Sequence, residues 1–267
     1  MYDFAYAKPT SIADAVRHLG EADAKALAGG QTLIPVLKQR LNRPSVVVDL
    51  RALGLAFIRR EGSVVAIGGM TTHAVVAASA EVGAAIPALA RLAGAIGDRQ
   101  VRNRGTIGGS LANNDPSACY PAAVLALGAT IVTDRRRIAA DDYFQGMFTT
   151  ALEVDEIITA VEFLVAERAH YEKFRNPASR YAIVGVFVAQ GPAGVRVAVT
   201  GAGQGGVFRH AAMEAVLTRD FSVAAIAGIE TSADDMNSDI HASAAYRAHL
   251  VGVMARRAVA GACAARP

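Results

Sequence analysis

Residues 102–110 of the chain read Arg-Asn-Arg-Gly-Thr-Ile-Gly-Gly-Ser, a glycine-rich segment that also carries two hydroxyl side chains. Glycine allows a backbone to approach a ligand closely, and the hydroxyls of Thr106 and Ser110 can donate to phosphate oxygens. Successive N–H groups in such a loop favour an anion-binding nest. The segment therefore predicts a phosphate-binding loop.

A second glycine-rich loop lies upstream, where residues 28–32 read Ala-Gly-Gly-Gln-Thr. It connects a predicted strand at 25–27 to a predicted helical stretch that runs to Leu41. The start of that helix would aim free N–H groups and a partial positive charge at a bound anion, such as a pyrophosphate. An ordinary strand–helix turn is the alternative for this loop taken alone. Two such loops in one chain favour a dinucleotide held between two modules.

The composition is that of a folded protein with a large core. The chain has 267 residues, of which 52% are hydrophobic and 19% are charged, and its mean hydropathy is +0.29. This balance excludes a disordered chain. A length of this order predicts about two domains.

Cysteine content and charge exclude several classes of protein. Two cysteines, Cys119 and Cys263, exclude a disulfide framework and cannot complete a four-cysteine zinc or iron–sulfur site, so no metal site is expected. The net charge is +3, and the basic run at 135–137 has no interleaved aromatic residues, which favours a charged turn over nucleic-acid binding. No apolar stretch is long enough to span a membrane, and residues 1–7 do not resemble a signal peptide. We expect a cytoplasmic protein.

Periodicity and capping signals predict helices and strands throughout the chain. The predicted helices span 11–19, a stretch ending at 41, 71–80, 87–96, 121–127, 210–217, 223–230 and 242–260. The predicted strands span 25–27, 45–50, 64–67, 129–133, 157–163, 181–189 and 195–200. Mixed elements with short connections indicate closely packed α+β modules.

Residues 201–206 match the dinucleotide fingerprint Gly-x-Gly-x-x-Gly after a predicted strand. A Rossmann site is disfavoured here, because Asp220 precedes a helical pattern instead of ending a second strand. No Ser/His/Asp set can be assembled from the sequence, so a hydrolase is also disfavoured.

Five segments carry a family resemblance: residues 4–11, 28–35, 101–112, 113–121 and 171–182. They resemble the FAD-binding medium subunit of molybdenum hydroxylases, in particular of carbon monoxide dehydrogenase-type enzymes, and the flavin domain of xanthine dehydrogenase. The resemblance implies a vanillyl-alcohol-oxidase (PCMH)-like α+β fold. Two FAD-binding subdomains, 1–56 and 57–168, would be followed by a C-terminal α+β domain at 169–267.

The resemblance also implies which residues bind FAD. The glycine loops would grip the pyrophosphate, Ile158 would contact apolar parts of the cofactor, Lys173 would contact it, and Tyr181 would lie beside the flavin. A core tyrosine at the start of a strand is the alternative for Tyr181. The full implied set is Ala28, Gly29, Gly30, Gln31, Thr32, Leu33, Thr106, Ile107, Gly108, Gly109, Ser110, Asn114, Asp115, Cys119, Ile158, Lys173 and Tyr181.

Cys119 departs from the family pattern, in which an Asp at this position contacts FAD. A thiol is a poor replacement acceptor. Either Asn114 or Asp115 would therefore take over part of the polar contact, or the cofactor would bind less tightly.

The function that the resemblance implies is that of a flavoprotein oxidoreductase subunit with no acid–base catalytic residue of its own. Substrate would be oxidised at a molybdenum cofactor on a large partner subunit. Electrons would pass through the 2Fe–2S clusters of a small partner subunit to FAD on this chain, and then to an external acceptor. A dimer of heterotrimers is the expected assembly. The alternatives are a self-sufficient FAD-dependent oxidoreductase and a nucleotide-binding regulatory or assembly module.

Overall fold

The computed structural model describes residues 1–264, which form three successive regions of helices and strands. The N-terminal region consists of β1 (Ala5–Ala7), α1 (Ile12–Leu19), β2 (Lys25–Leu27), α2 (Leu33–Lys38) and β3 (Val46–Asp49). Its sheet is parallel, in the order β1-β3-β2. The central position of β3 explains its continuous apolar run, since all its residues are buried.

The middle region is built on a five-stranded antiparallel sheet in the order β4-β5-β10-β6-β7. Its elements are β4 (Ile58–Glu61), β5 (Val64–Gly68), α3 (His73–Ala78), α4 (Ala80–Ala85), α5 (Pro87–Gly94), α6 (Arg99–Arg102), α7 (Ile107–Asn113), α8 (Tyr120–Ala126), β6 (Thr130–Thr133), β7 (Arg137–Ala139), α9 (Ala140–Tyr143), β8 (Phe144–Gly146), β9 (Thr149–Thr150) and β10 (Ile158–Leu164). The last strand, β10, lies between β5 and β6. The chain therefore comes back into the middle of the sheet at β10, and Ile158 at the start of this strand lies against the end of β5.

The C-terminal region is a four-stranded antiparallel sheet, β11-β12-β13-β14, with two helices. Its elements are β11 (Arg168–Arg175), β12 (Ala182–Gly191), β13 (Gly194–Gly203), β14 (Gly206–Arg209), α10 (Ala211–Arg219) and α11 (Ala244–Ala264). Phe187 and Ala198 on this sheet join the hydrophobic core of the middle region, whereas Val186 and Val199 pack with the C-terminal helices. The sheet is therefore covered on both faces, which accounts for the unbroken apolar run of β12.

Local signals predicted many element ends correctly. The Ser11 hydroxyl accepts from the Asp14 N–H and caps α1. The basic run at 135–137 forms the charged turn between β6 and β7 that the sequence predicts, and its guanidinium groups pair with surrounding carboxylates. Residues 201–206 form the end of β13 and a turn into β14. This agrees with the expectation that the segment is not a Rossmann site, although it matches the dinucleotide fingerprint.

Some predictions were wrong. The helix predicted at 223–230 is only a short 3-10 helix, Ala224–Ile226. The helix predicted to reach Leu41 ends at Lys38, because Arg40 adopts a left-handed conformation with φ +58° and the Leu41 N–H donates to Val36 O. The sequence analysis missed six short or edge strands, namely β1, β4, β8, β9, β11 and β14.

Among residues 1–264 there is no helix long and apolar enough to cross a membrane.

Candidate functional site

Two adjacent cavities lie between the N-terminal and middle regions and the start of the C-terminal sheet. The Tyr181 cavity, of about 140 Å³, is bordered by Tyr181, Lys173 and Cys119. The Phe148 cavity, of about 480 Å³, is bordered by Phe148, Ile158 and the loop at 28–33. Both cavities are lined by Gly29, Thr32, Gly109 and Asn113. The two glycine-rich segments therefore meet at the junction between the cavities.

The loop at 28–33 presents free backbone donors at this junction. Within the described chain, the N–H groups of residues 29–33 donate to no other group. Gly30 has φ +74°, in the left-handed region that glycine occupies without strain. The loop runs directly into the start of α2, where the partial positive charge of the helix lies. This arrangement suits a bound anion.

The segment at 105–110 does not form the predicted anion-binding nest. The N–H groups of Ile107 and Gly108 donate to Thr71 O at 3.1 Å and Gly69 O at 2.9 Å. The Thr106 hydroxyl caps α7 by accepting from the Gly109 N–H, and the Ser110 N–H donates to Thr106 O. The N–H groups of residues 107–110 therefore donate to other groups of the protein. The prediction of an anion-binding nest in this segment was wrong.

Glycines of the two loops are required where backbones touch each other. A Cβ atom on Gly29 would overlap the carbonyl oxygen of Arg104 and come within 2.7 Å of the Gly105 Cα. A Cβ atom on Gly108 would lie 2.6 Å from Gly69 O. These distances are shorter than real Cβ contacts, so the glycines interlock the N-terminal loop, α7 and the end of β5.

Lys173 contacts three other segments in the wall of the Tyr181 cavity. Its ammonium group donates to Ala95 O at 2.9 Å and Arg180 O at 3.1 Å, and it lies 3.4 Å from the Cys119 thiol. Tyr181 is 54% exposed at the cavity edge, so it is not the core tyrosine of the alternative interpretation. Partial burial raises the pKa of its hydroxyl.

Cys119 is buried in this wall and Asp115 also lines the cavity. The Asp115 carboxylate accepts from the Ser117 N–H at 2.8 Å, which fixes the loop before α8. Asp115 is therefore placed where its carboxylate can accept from a ligand in the same cavity that Cys119 lines.

His73, at the start of α3, lines the Tyr181 cavity although the sequence did not single it out. Its ring packs against Tyr120 with centroids 5.3 Å apart, and its Nδ1 has no hydrogen-bond partner among the described residues. Burial, with a smaller effect from the charge of Arg102, lowers the pKa of His73 to about 4. The imidazole is therefore neutral at pH 7.

Glu156 lines the Phe148 cavity but its charge is already paired. Both carboxylate oxygens accept from the Arg136 guanidinium, at 2.9 and 2.7 Å, and Oε1 also accepts from the Thr133 hydroxyl. The Arg136 hydrogen bonds lower the pKa of Glu156 to about 2, against the opposing effect of burial. The remainder of the cavity is largely apolar, with Leu50, Met70 and Ile158 on its walls.

All the residues that the sequence assigned to the cofactor line one or both cavities, except Ile107 and Asn114. The Ile107 side chain is fully buried in the core of the middle region. The buried Asn114 amide donates to Gly146 O and Thr149 O, so it is not free to replace the missing Asp contact. Contact of the other residues with a cofactor stays a prediction.

Several lining residues were missed by sequence reasoning, namely His73, Ile96, Met70, Leu50, Arg180 and Phe148. They come from five separate segments, since only Met70 and His73 lie close together in the sequence. The sequence held no signal for them, because only the packing of the regions brings them to the cavities.

The chain matches the family profile described as the FAD binding domain in molybdopterin dehydrogenase, over residues 2–163. It belongs to this family of FAD-binding subunits of molybdopterin dehydrogenases. The chain is 39% identical to the nicotine 6-hydroxylase medium subunit of Paenarthrobacter nicotinovorans, with 95% of each chain covered. It is 38% identical to the carbon monoxide dehydrogenase medium chain of Afipia carboxidovorans, with 96% of this chain and 95% of the relative covered.

Solved structures agree with the sequence relatives. The fold is similar to a chain of reconstituted CO dehydrogenase from Oligotropha carboxidovorans, with a TM-score of 0.89, 36% identity and coverage of 100% of this chain and 99% of that one. A chain of quinoline 2-oxidoreductase from Pseudomonas putida 86 gives a TM-score of 0.88 at 28% identity, with the same coverage. The expected resemblance is thus confirmed over essentially the whole chain.

Proposed function

We propose that the chain is the FAD-carrying electron-transfer subunit of a molybdenum hydroxylase complex. It receives electrons from the iron–sulfur clusters of a partner subunit and delivers them to an external acceptor. The observation that carries the proposal is the run of free N–H donors at residues 29–33, located where two cavities meet.

FAD fits this arrangement because it has two flat ends joined by a pyrophosphate. The N–H groups of residues 29–33 would bind the pyrophosphate, and Ser110 lines the adjoining Tyr181 cavity. Tyr181 and Ile96 in one cavity would contact the isoalloxazine. The apolar walls of the Phe148 cavity, which include Ile158, would take the adenine end.

When bound, FAD accepts electrons singly and releases them in pairs, which suits a position between clusters and an external acceptor. The chain's own residues would bind the cofactor and orient it. Lys173 fixes the cavity wall through two carbonyl groups and the Cys119 thiol. Neutral His73 adds no charge beside the cofactor.

The remaining redox groups belong on partner subunits. The sequence has only two cysteines, too few for the thiolates of one 2Fe–2S cluster. Among residues 1–264 no group of His, Cys, Asp and Glu side chains could hold a metal ion. Relatives named medium chain or medium subunit support partnership with a large molybdenum-cofactor subunit and a small 2Fe–2S subunit. We propose a dimer of these heterotrimers.

We also propose the PCMH-like form of the α+β fold, with subdomains at 1–56 and 57–168 and a C-terminal domain at 169–267. The separate parallel sheet of the first region, the antiparallel sheet of the second and the cleft between them support this division. The cytoplasmic location expected from the sequence stays a prediction.

The test is an absorption spectrum of the purified full chain, followed by co-purification with the products of neighbouring genes. Flavin bands, with molybdenum and iron in the co-purified complex, are the expected result. Flavin bands with substrate oxidation by the isolated chain would replace the proposal with a self-sufficient oxidoreductase. Binding of ADP without FAD would replace it with a nucleotide-binding module.

A further inference from the structure

The tip of the β8–β9 hairpin holds an exposed aromatic side chain at the Phe148 cavity. Phe148 is 56% exposed and lines the cavity, whose neighbouring walls are formed by buried apolar residues such as Leu50 and Ile158. An exposed phenylalanine at the edge of an apolar slot has one face free to contact a planar ligand.

The backbone holds Phe148 in an unfavourable conformation. Its φ is +55°, in the left-handed region that residues with a Cβ rarely occupy. Such conformations persist only where surrounding contacts enforce them, and they cluster at ligand-binding positions. The hairpin tip is therefore fixed, with the ring at the cavity.

Asn114 supplies the enforcing contacts. Its side-chain amide donates to Gly146 O at 2.8 Å and Thr149 O at 2.9 Å, on both sides of the hairpin tip. Its own carbonyl accepts from the Phe148 N–H at 3.1 Å. Asn114 directly follows α7, the helix that carries Gly109 at the junction of the cavities. The hairpin tip and the proposed pyrophosphate site are thus held by one element.

We propose that Phe148 stacks on the adenine ring of FAD. The inference rests on the proposed function. With the pyrophosphate at residues 29–33 and the isoalloxazine in the Tyr181 cavity, the adenine enters the apolar slot that Phe148 borders. Base–aromatic stacking needs only a π-face and no specific polar partner, which matches the apolar walls of this cavity.

The experiment measures dissociation constants of FAD and of ADP for the full chain after removal of bound flavin. Phe148→Ala is expected to weaken both ligands by about tenfold, the effect of losing one base–aromatic stack. Phe148→Tyr keeps the aromatic face and is expected to bind both ligands as the unaltered chain does. Met147→Ala is the matched control, because Met147 is the adjacent exposed residue and does not line either cavity.

Phe148→Gly distinguishes an effect of losing the aromatic ring from an effect of disturbing the hairpin. Glycine accepts a positive φ without strain, so this variant removes the ring while favouring the hairpin conformation. It is expected to lose ADP affinity as Phe148→Ala does, and unaltered ADP affinity in Phe148→Gly would overturn the proposal. Weakening of FAD alone, with ADP unchanged, would also overturn it, since the ring would then contact the flavin end. Failure of the unaltered chain to bind FAD would instead refute the proposed function.

Discussion

The carbonyl oxygen of Arg104 occupies the space that a Cβ atom on Gly29 would need. The two glycine-rich segments, far apart in sequence, therefore touch through their backbones at the junction of the cavities. Glycine at position 29 serves this contact as well as the approach of a ligand.

Gly29→Ala is expected to lower the free energy of unfolding by about 2 kcal/mol, the usual cost of overpacking a tight site. The methyl group would meet backbone atoms of Arg104 and Gly105, which cannot move aside as a side chain can. Urea unfolding of the full chain measures the change.

Gly83→Ala is the matched control, since a Cβ atom on this residue of α4 meets nothing within 4 Å. It is expected to be neutral or stabilising by about 0.5 kcal/mol, because alanine favours a helix. Equal stability of the two alanine variants would contradict the interlock between the loops.

Gly109→Asp is expected to abolish FAD binding, because it places a carboxylate at the junction where the pyrophosphate would lie. A Cβ atom there would lie 3.0 Å from the Thr106 hydroxyl and 3.3 Å from Ala28 Cβ, which is tight but not blocked by backbone. The fold is expected to persist by circular dichroism while the flavin absorbance is lost.

The control is Gly205→Asp in the turn before β14, where an added Cβ atom meets nothing within 4 Å. It adds the same charge away from the cavities and is expected to keep the flavin bands. Normal flavin absorbance in Gly109→Asp would refute the placement of the pyrophosphate.

His73→Leu is expected to make the chain less sensitive to mild acid. Burial lowers the pKa of His73 to about 4 in the folded chain, so below pH 6.5 the unfolded chain binds a proton that the folded chain does not. Folding stability is therefore lost as the pH falls from 6.5 to 4, by up to about 3 kcal/mol for this group. Urea unfolding at pH 7, 5.5, 4.5, 4 and 3 measures the pH dependence of the free energy of unfolding, which the variant is expected to reduce between pH 6.5 and 4.

Glu156→Gln is the comparison for His73→Leu, because Glu156 affects folding stability in a lower pH range. The pKa of Glu156 is lowered to about 2, so its contribution is fully present above pH 4.5 and is lost as the pH falls toward 2. This variant is expected to reduce the pH dependence of the free energy of unfolding only below pH 4.5. An unchanged profile between pH 6.5 and 4 in His73→Leu would show that His73 is not buried in its neutral form.

Cys119→Asp is expected to bind FAD about fivefold more tightly, from the difference of about 1 kcal/mol between neutral and charge-assisted hydrogen bonds. The carboxylate would pair with the Lys173 ammonium, now 3.4 Å from the thiol, and restore the acceptor that the family resemblance implies. Titration of the flavin-free chain measures the dissociation constant. Cys263→Asp, outside both cavities, is the control, and equal affinity of the two variants would contradict a role for position 119.

Local chemistry made much of the fold predictable. The strand at 25–27 is correct at both ends, and the Ser11 cap and Pro87 mark the starts of α1 and α5. Most residues that the family resemblance assigned to the cofactor line the two cavities, and their contact with FAD stays a prediction. The helix at 223–230 failed because short apolar periodicity does not by itself stabilise a helix, which depends on packing.

The sequence by itself determined that two glycine-rich segments would form turns or helix starts, since glycine and capping hydroxyls act on their neighbours along the chain. Only the tertiary structure decided which segment keeps its donors free. The N–H groups of Ile107 and Gly108 are consumed by carbonyl groups of Thr71 and Gly69, whereas those of residues 29–33 remain available. A backbone donor is free only when no distant acceptor packs against it, and that depends on how the regions meet.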